Sequence, residues 1–309
     1  MKFFWRSSLQ LIIVAAFILV GVQSALAFRF IAWADTKSRS STLQAESKQA
    51  VTLDPDFTIY AGDVCKKWFT MDCFTTWKKA LTGGSTNNMF DITFAVRGNH
   101  DSGSSTWKSA FDIARVAGNI GATNFSTLDA DLTYSFDYEN SHFVGVDVLG
   151  DATEMTSAQI SWVDNDLTAA EKRNLKHAFL FWHGPIYPLA AHCCSTNSAI
   201  ISMLNKHPIV SATFHGHEHV VEYTHIDSSR IANCTHEFEE FVSGTAGAPL
   251  HTARSNRYDY WLGKTQGFIM VDVSGNDFMV FVYSLGKTDP VKVLSCSKHE
   301  IQTKCISLP

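Results

Sequence analysis

Five short apolar runs punctuate the chain, and each ends at a residue able to hold a metal ion. They are Phe30 to Ala34 before Asp35, Thr58 to Gly62 before Asp63, Ile92 to Gly98 before Asn99, Ala178 to Trp182 before His183, and Ile209 to Gly216 before His217. Their length and their β-branched and aromatic content predict buried strands. Side by side in one sheet, such strands bring their carboxyl-end residues to one rim, where open α/β sheets bind ligands. Between the runs the pattern predicts helices over Thr106 to Gly118 and Ser157 to Leu167, and strands over Leu132 to Tyr138 and His142 to Leu149. Near the end, Gly267 to Val273 and Asp277 to Ser284 alternate around Gly275-Asn276 and predict a hairpin. Periodicity alone therefore gives a mixed α/β fold.

No Pro/Ser-rich linker separates Asp35 from His219, and no repeat or low-complexity segment is visible, so residues 28–309 read as one large catalytic domain. Met1 to Ala27 read as a secretory signal peptide: Lys2 and Arg6 open it, Leu9 to Val22 are apolar, and Ala25-Leu26-Ala27 form a small-residue cleavage site. The apolar stretch is shorter than the roughly 20 residues that span a bilayer. The expectation is an exported protein, secreted or periplasmic, with no membrane association after cleavage. Losing Lys2 and Arg6 leaves 23 basic against 30 acidic side chains, a formal charge of −7, and no Lys/Arg cluster marks a nucleic-acid surface.

Seven cysteines in an exported chain suggest disulfides, with at least one thiol left over. Cys65 with Cys73 and Cys296 with Cys305 are near enough to close short loops, but connectivity does not follow from sequence. Vicinal Cys193 and Cys194 beside His192 have too few neighbouring donors to favour a soft-metal site. Asn124-Phe125-Ser126 and Asn233-Cys234-Thr235 fit the glycosylation sequon.

The chemistry lies at the run ends. Gly62, Gly98 and Gly216 each permit a tight turn that swings the following side chain over the sheet edge. In extended backbone, residues two apart point the same way, so His217 and His219 share a side while Glu218 faces elsewhere. His215 has the same parity and reads as a supporting partner or a buried strand residue rather than a ligand. Asp, Asn and His donors without thiolates suit zinc, manganese or iron. Two such ions against only Asp35 and Asp63 leave a net positive site and call for an anionic substrate.

At these residues the chain resembles the calcineurin-like metallophosphoesterase superfamily and, more loosely, its purple acid phosphatase branch. The matching pieces are Gly62-Asp63, Gly98-Asn99-His100-Asp101, Trp182-His183-Gly184-Pro185 and Gly216-His217-Glu218-His219, in the family's order. Thr156 through Gln159 to Trp162 and Leu167, and Gly244 to Pro249, add support. The likeness runs from about Phe28 to Tyr283. It implies a two-sheet β-sandwich flanked by helices and two divalent or trivalent ions. Asp63 would bridge them, Asp35 and His219 would complete one position, and Asn99, His183 and His217 the other. His100 would steady the phosphoryl group or protonate the leaving oxygen. The implied reaction is hydrolysis of a small phosphorylated substrate by metal-bound hydroxide, monoesters slightly favoured. Alternatives are a phosphodiesterase or nucleotide hydrolase of the same fold, or a secreted binding protein that has lost catalysis.

Two departures from the family pattern matter. Where much of the family has Asp-x-His, this chain has Asp35-Thr36-Lys37. A protonated lysine cannot coordinate a cation, so Lys37 either weakens the first metal position, helps hold phosphate, or faces solvent. Lys66 stands where purple acid phosphatases carry a tyrosine, so a colourless protein is expected. Arg97 and His251 are further candidates for binding phosphate, with an exposed or structurally paired arginine an equal reading of Arg97. Specificity is expected in the loops Tyr187 to Asn197, Arg230 to Glu237 and His251 to Trp261.

Overall fold

The structure, a computed structural model, describes residues 27–82, 88–149, 154–187, 197–252, 260–261, 265–300 and 302–308. The anticipated signal peptide, apart from Ala27, and the vicinal Cys193 and Cys194 lie outside the described residues, as does most of the first and third specificity loops. No described helix is long and apolar enough to cross a membrane.

In chain order the elements are β1 (Ala27–Trp33), α1 (Ser40–Val51), β2 (Phe57–Ala61), α2 (Met71–Leu81), β3 (Thr93–Val96), α3 (Ser104–Ala110) and α4 (Ile113–Ile120). There follow β4 (Thr123–Asp129), β5 (Thr133–Tyr138), β6 (Ser141–Gly145), α5 (Ser157–Lys172), β7 (His177–Phe181), α6 (Ser198–Leu204) and β8 (Val210–His215). The chain closes with β9 (Val221–Ile226), β10 (Phe238–Ser243), β11 (Tyr260–Trp261), β12 (Gly267–Ser274), β13 (Asp277–Ser284), β14 (Lys292–His299) and β15 (Gln302–Ser307).

Two sheets result: β15-β14-β13-β12-β1-β2-β3 and β11-β9-β10-β8-β7-β6-β5-β4. The five ligand-bearing runs thus do not share one sheet. β1, β2 and β3 run parallel in the first, and β7 and β8 run parallel in the second. Their carboxyl ends still meet because the sheets pack face to face.

Phenylalanines fill the layer between the sheets. Phe30 of β1 and Phe57 of β2 lie 5.3 and 4.9 Å, centroid to centroid, from Phe143 of β6, and Phe94 of β3 stacks on Phe136 of β5 at 3.9 Å. Large rings at both inner faces hold the sheets at a fixed spacing and bury much area each. Outside the second sheet, Val163 and Leu167 of α5 and Ile200 of α6 bury against Val144, Leu180 and Trp182. Against the first sheet, Leu43 of α1 and Trp77 of α2 join the main core. This is the helix-flanked sandwich that the family likeness implies.

Local chemistry explains the boundaries. Thr156 and Gln159 form a reciprocal capping box that starts α5, Gln159 N–H donating to Thr156 Oγ1 at 3.2 Å and Thr156 N–H to Gln159 Oε1 at 2.9 Å. The single helix predicted over Thr106 to Gly118 is two, because Asp112 caps a new start by accepting from Arg115 N–H at 3.0 Å. The hairpin of β12 and β13 turns at Gly275, φ +64°, as its sequence predicts. The strand predicted over His142 to Leu149 stops at Gly145, after which Asp147 turns to Arg97.

Candidate metal centre

Asp35 follows β1, Asp63 follows β2, Asn99 follows β3, His183 follows β7, and His217 and His219 follow β8. Asp35, Asp63 and His217 have φ of 64°, 58° and 67°, the left-handed conformation that bends each segment abruptly off its strand. Non-glycine residues adopt it at a cost of about 1–3 kcal/mol each, a strain that clusters at functional sites. Gly98 is required by close approach: a Cβ there would overlap the Asp63 carboxylate and stand 2.8 Å from His183 Cε1. Asp35 is tied in by accepting His217 N–H at 2.8 Å, and its own carbonyl accepts Ala248 N–H at 2.8 Å from the Gly244 to Pro249 segment.

Two groups of donor atoms form around Asp63, whose side chain is fully buried. In one, His183 Nε2 lies 3.0 Å from Asn99 Oδ1, 3.3 Å from His217 Nδ1 and 3.4 Å from Asp63 Oδ1, and Asn99 Oδ1 lies 3.3 Å from His217 Nδ1. Ligands bound to one ion at about 2.0–2.1 Å stand about 2.9–3.4 Å apart, so His183 Nε2 has the spacing of a shared coordination shell to each of the other three atoms. His183 Nδ1 faces the Ala61 carbonyl at 2.8 Å, which directs Nε2 inward, the usual support for a ligating imidazole. In the other group, Asp35 Oδ1, Asp63 Oδ2 and His219 Nε2 are buried with no hydrogen-bond partner. His219 Nε2 lies 3.4 Å from Asp35 Oδ1, and its Nδ1 is held by the Pro249 carbonyl at 2.7 Å. One ligand atom from each of Asp35, Asp63 and His183 fits within a 4.8 Å group. Asp63 Oδ2 is met there by the Lys37 ammonium and Asp35 Oδ1 by His219, and the carboxylate and imidazole donor set suits a cation.

The electrostatics point the same way. Burial would raise the Asp63 carboxyl, but the charge and hydrogen bond of His183, with Lys37, hold it well below the carboxylate range. Burial lowers His183, yet Asp63 and Asp35 outweigh this and push it up to about 9. Burial and the His183 charge lower His217 to about 4. A proton on His183 answers the demand for positive charge that an ion would satisfy, and binding an ion must displace it.

The other candidates are placed as follows. His100 is half-buried, its N–H donating to Asp63 Oδ1 at 2.8 Å and its Nδ1 engaged by the Lys66 carbonyl. Lys37 Nζ stands 3.1 Å from Asp63 Oδ2 and 4.0 Å from Asp35 Oδ1, so it turns into the site and not to solvent. The Arg97 guanidinium makes a bidentate pair with Asp147, at 2.8 and 2.6 Å, the structurally paired alternative for this residue. His251 stacks on His219 at 4.0 Å and accepts its N–H at 3.2 Å, which places it at the rim. His215 is a buried strand residue that contacts the Trp182 carbonyl at 3.0 Å and Glu240 at 3.3 Å.

Sequence reasoning gave no role to Asp101. Its buried carboxylate accepts N–H groups from Val64 at 3.1 Å, Cys65 at 3.0 Å and Gly98 at 3.1 Å, joining the Asp63 loop to the Asn99 loop. Burial and the Asp63 charge push its carboxyl up to about 7. Its place at the end of Gly98-Asn99-His100-Asp101 was the available signal.

Similarity to known proteins is in shape more than sequence. The purple acid phosphatase PPD1 from yellow lupin (Lupinus luteus) seeds superposes with a TM-score of 0.66 at 14% identity, over 88% of this chain and 54% of that one. The chain therefore spans about half the length of the lupin phosphatase. PhoD superposes with a TM-score of 0.60 at 12% identity, covering 92% of this chain and 72% of that one. GAP50 of Plasmodium does so at 0.59 and 12% identity, covering 90% and 89%. At these identities the likeness shows the fold alone. No curated protein matches the chain by sequence. The family model for calcineurin-like phosphoesterases matches residues 28–221, the stretch that carries every ligand-bearing run, and the chain belongs to that family.

Proposed function

We propose that this chain is an exported, metal-dependent phosphoesterase that favours phosphate monoesters. The observation that carries the reading is the spacing of Asp63, Asn99, His183 and His217, four donor atoms gathered from four separate strand ends. When bound there, an ion supplies Lewis acidity, which acidifies water and stabilises negative charge on phosphoryl oxygens. His183 is kept in register by the Ala61 carbonyl, and Asp63 by the His100 N–H. With Nδ1 on the Lys66 carbonyl, His100 keeps Nε2 for substrate and, protonated, offers N–H to the leaving oxygen. A monoester dianion matches this concentration of positive charge better than a diester does. Two disulfides among the described residues, Cys65–Cys73 and Cys296–Cys305, suit an oxidising compartment.

The test is hydrolysis of para-nitrophenyl phosphate against its bis ester, with added zinc, manganese or iron and again with chelator. Faster cleavage of the monoester, lost on chelation, is expected. No cleavage of either compound with metal bound would refute the enzyme reading and leave the second one, a binding protein on the same scaffold. That second reading is favoured by one observation, the Lys37 ammonium lying against Asp63.

A further inference from the structure

The atoms that the family likeness assigns to the first ion, Asp35 Oδ1, Asp63 Oδ2 and His219 Nε2, are buried and without hydrogen-bond partners. A cation nevertheless stands among them. Lys37 Nζ is 3.1 Å from Asp63 Oδ2 and 4.0 Å from Asp35 Oδ1, at the end of a side chain only 15% exposed. A metal bridging these carboxylates would have to occupy much the same space.

This placement is built into the backbone. Asp35 N–H donates to the Gly62 carbonyl at 3.0 Å, Lys37 N–H to the Asp63 carbonyl at 3.0 Å and Ser38 N–H to the Val64 carbonyl at 3.2 Å. Residues 35–38 are thus laced along the loop that carries Asp63. Thr36 N–H adds a bond to the Tyr60 hydroxyl at 3.0 Å. Within that lacing Lys37 has φ +45°, which turns its side chain back over the two carboxylates.

Charge balance completes the argument. Asp35 and Asp63 bring two negative charges, Lys37 offsets one, and a single divalent ion leaves the centre at +1. A second divalent ion would raise it to +3 and lie beside an ammonium that cannot ligate it. We propose that the Lys37 ammonium is the resident cation of the first position, and that the chain takes one metal ion, at Asp63, Asn99, His183 and His217. Lys37 then performs toward a phosphoryl oxygen the charge-neutralising part of the first ion's work. This rests on the functional reading only in that the second position binds metal.

The experiment counts ions. Full-length protein is stripped with chelator and titrated calorimetrically with Mn²⁺ alone and with Zn²⁺ alone. Bound metal is then measured by elemental analysis after gel filtration, and the Mn²⁺ form is recorded by electron paramagnetic resonance. Wild type is expected to hold one ion with an uncoupled Mn²⁺ spectrum, and Lys37→His to hold two with a spin-coupled spectrum. Should Lys37→His not fold, Lys37→Met keeps the stem without the charge and is expected to bind a second ion at least tenfold more tightly than wild type does. Two ions in wild type would overturn this proposal and leave the functional reading intact. No ion in wild type would overturn both. One ion in every folded variant would show that Lys37 is not what excludes the second.

Discussion

Replacing Asp101 tests whether the two loops of the centre are joined as the structure indicates. Its carboxylate is fully buried, with Oδ2 accepting from Val64 and Gly98 N–H at 3.1 Å each and Oδ1 accepting from Cys65 N–H at 3.0 Å. In Asp101→Asn the amide oxygen can keep the first two bonds, but the amide nitrogen then faces Cys65 N–H, donor against donor. One unsatisfied buried N–H costs about 1–3 kcal/mol. Removing a negative charge that Asp63 already opposes offsets part of that, so a loss near about 1 kcal/mol is expected. Asp101→Ala strands three donors and opens a small cavity, for a loss of about 3–5 kcal/mol. Metal affinity should fall with it, because Asp63 and Asn99 lose their common anchor. Outer support of this kind is worth about 10- to 100-fold in affinity. Urea denaturation of the metal-free proteins gives the first quantity and calorimetric titration with Zn²⁺ the second. If Asp101→Ala lost less than about 1 kcal/mol, the three N–H groups would have other partners and the reasoning would be wrong.

Three further outcomes are expected. His142 is buried between Asp137 at 2.6 Å and Asp166 at 2.9 Å; burial lowers its pKa, but the two carboxylates outweigh this and leave it raised. Its stabilisation is therefore complete below the unfolded value of about 6.5 and lost as pH rises through the higher folded value, so the stability gap between wild type and His142→Gln should narrow from pH 6 to pH 9. A gap that does not change with pH would rule this out. Arg97→Gln strands Asp147, which should cost about 3–5 kcal/mol in denaturant while leaving KM of the folded enzyme unchanged. A large rise in KM with little change in stability would return Arg97 to the phosphate. Cys296→Ser with Cys305→Ser removes a cross-link between β14 and β15 and should cost about 2–3 kcal/mol, read from the denaturation midpoint. A midpoint equal to that of wild type would count against a structural role for the bond.

What was legible in the chain was what is local. An apolar run and its donor residue, with a glycine between them in β2, β3 and β8, occupy fewer than ten consecutive positions, so β1, β2, β3, β7 and β8 and their ends could be read directly. β9 and β10 could not, because Glu222, Glu239 and Glu240 look like surface residues yet are buried. The partners of two of them come from elsewhere in the chain: Glu240 accepts Ile186 N–H at 2.6 Å and Tyr187 N–H at 3.0 Å, and Glu239 meets His225 at 3.1 Å. α2 was missed for a related reason. Its apolar face, Phe74 and Trp77, packs on Phe111, which lies beyond β3 in sequence.

The same distinction separates the donors of the centre from its charge. The aspartates, Asn99 and the histidines are set by strand ends, and their recurrence in order identifies them as a set. Arg97 could not be assigned this way, since its choice between phosphate and protein depends on Asp147, fifty residues away. Lys37 is the sharper case. Strand parity says nothing about a side chain four residues past a strand in left-handed backbone, and the lacing of residues 35–38 to residues 62–64 places it beside the two carboxylates. A sequence can therefore display all but one of a set of ligands, with a lysine in the missing place, and still not show that the lysine's ammonium turns in among them.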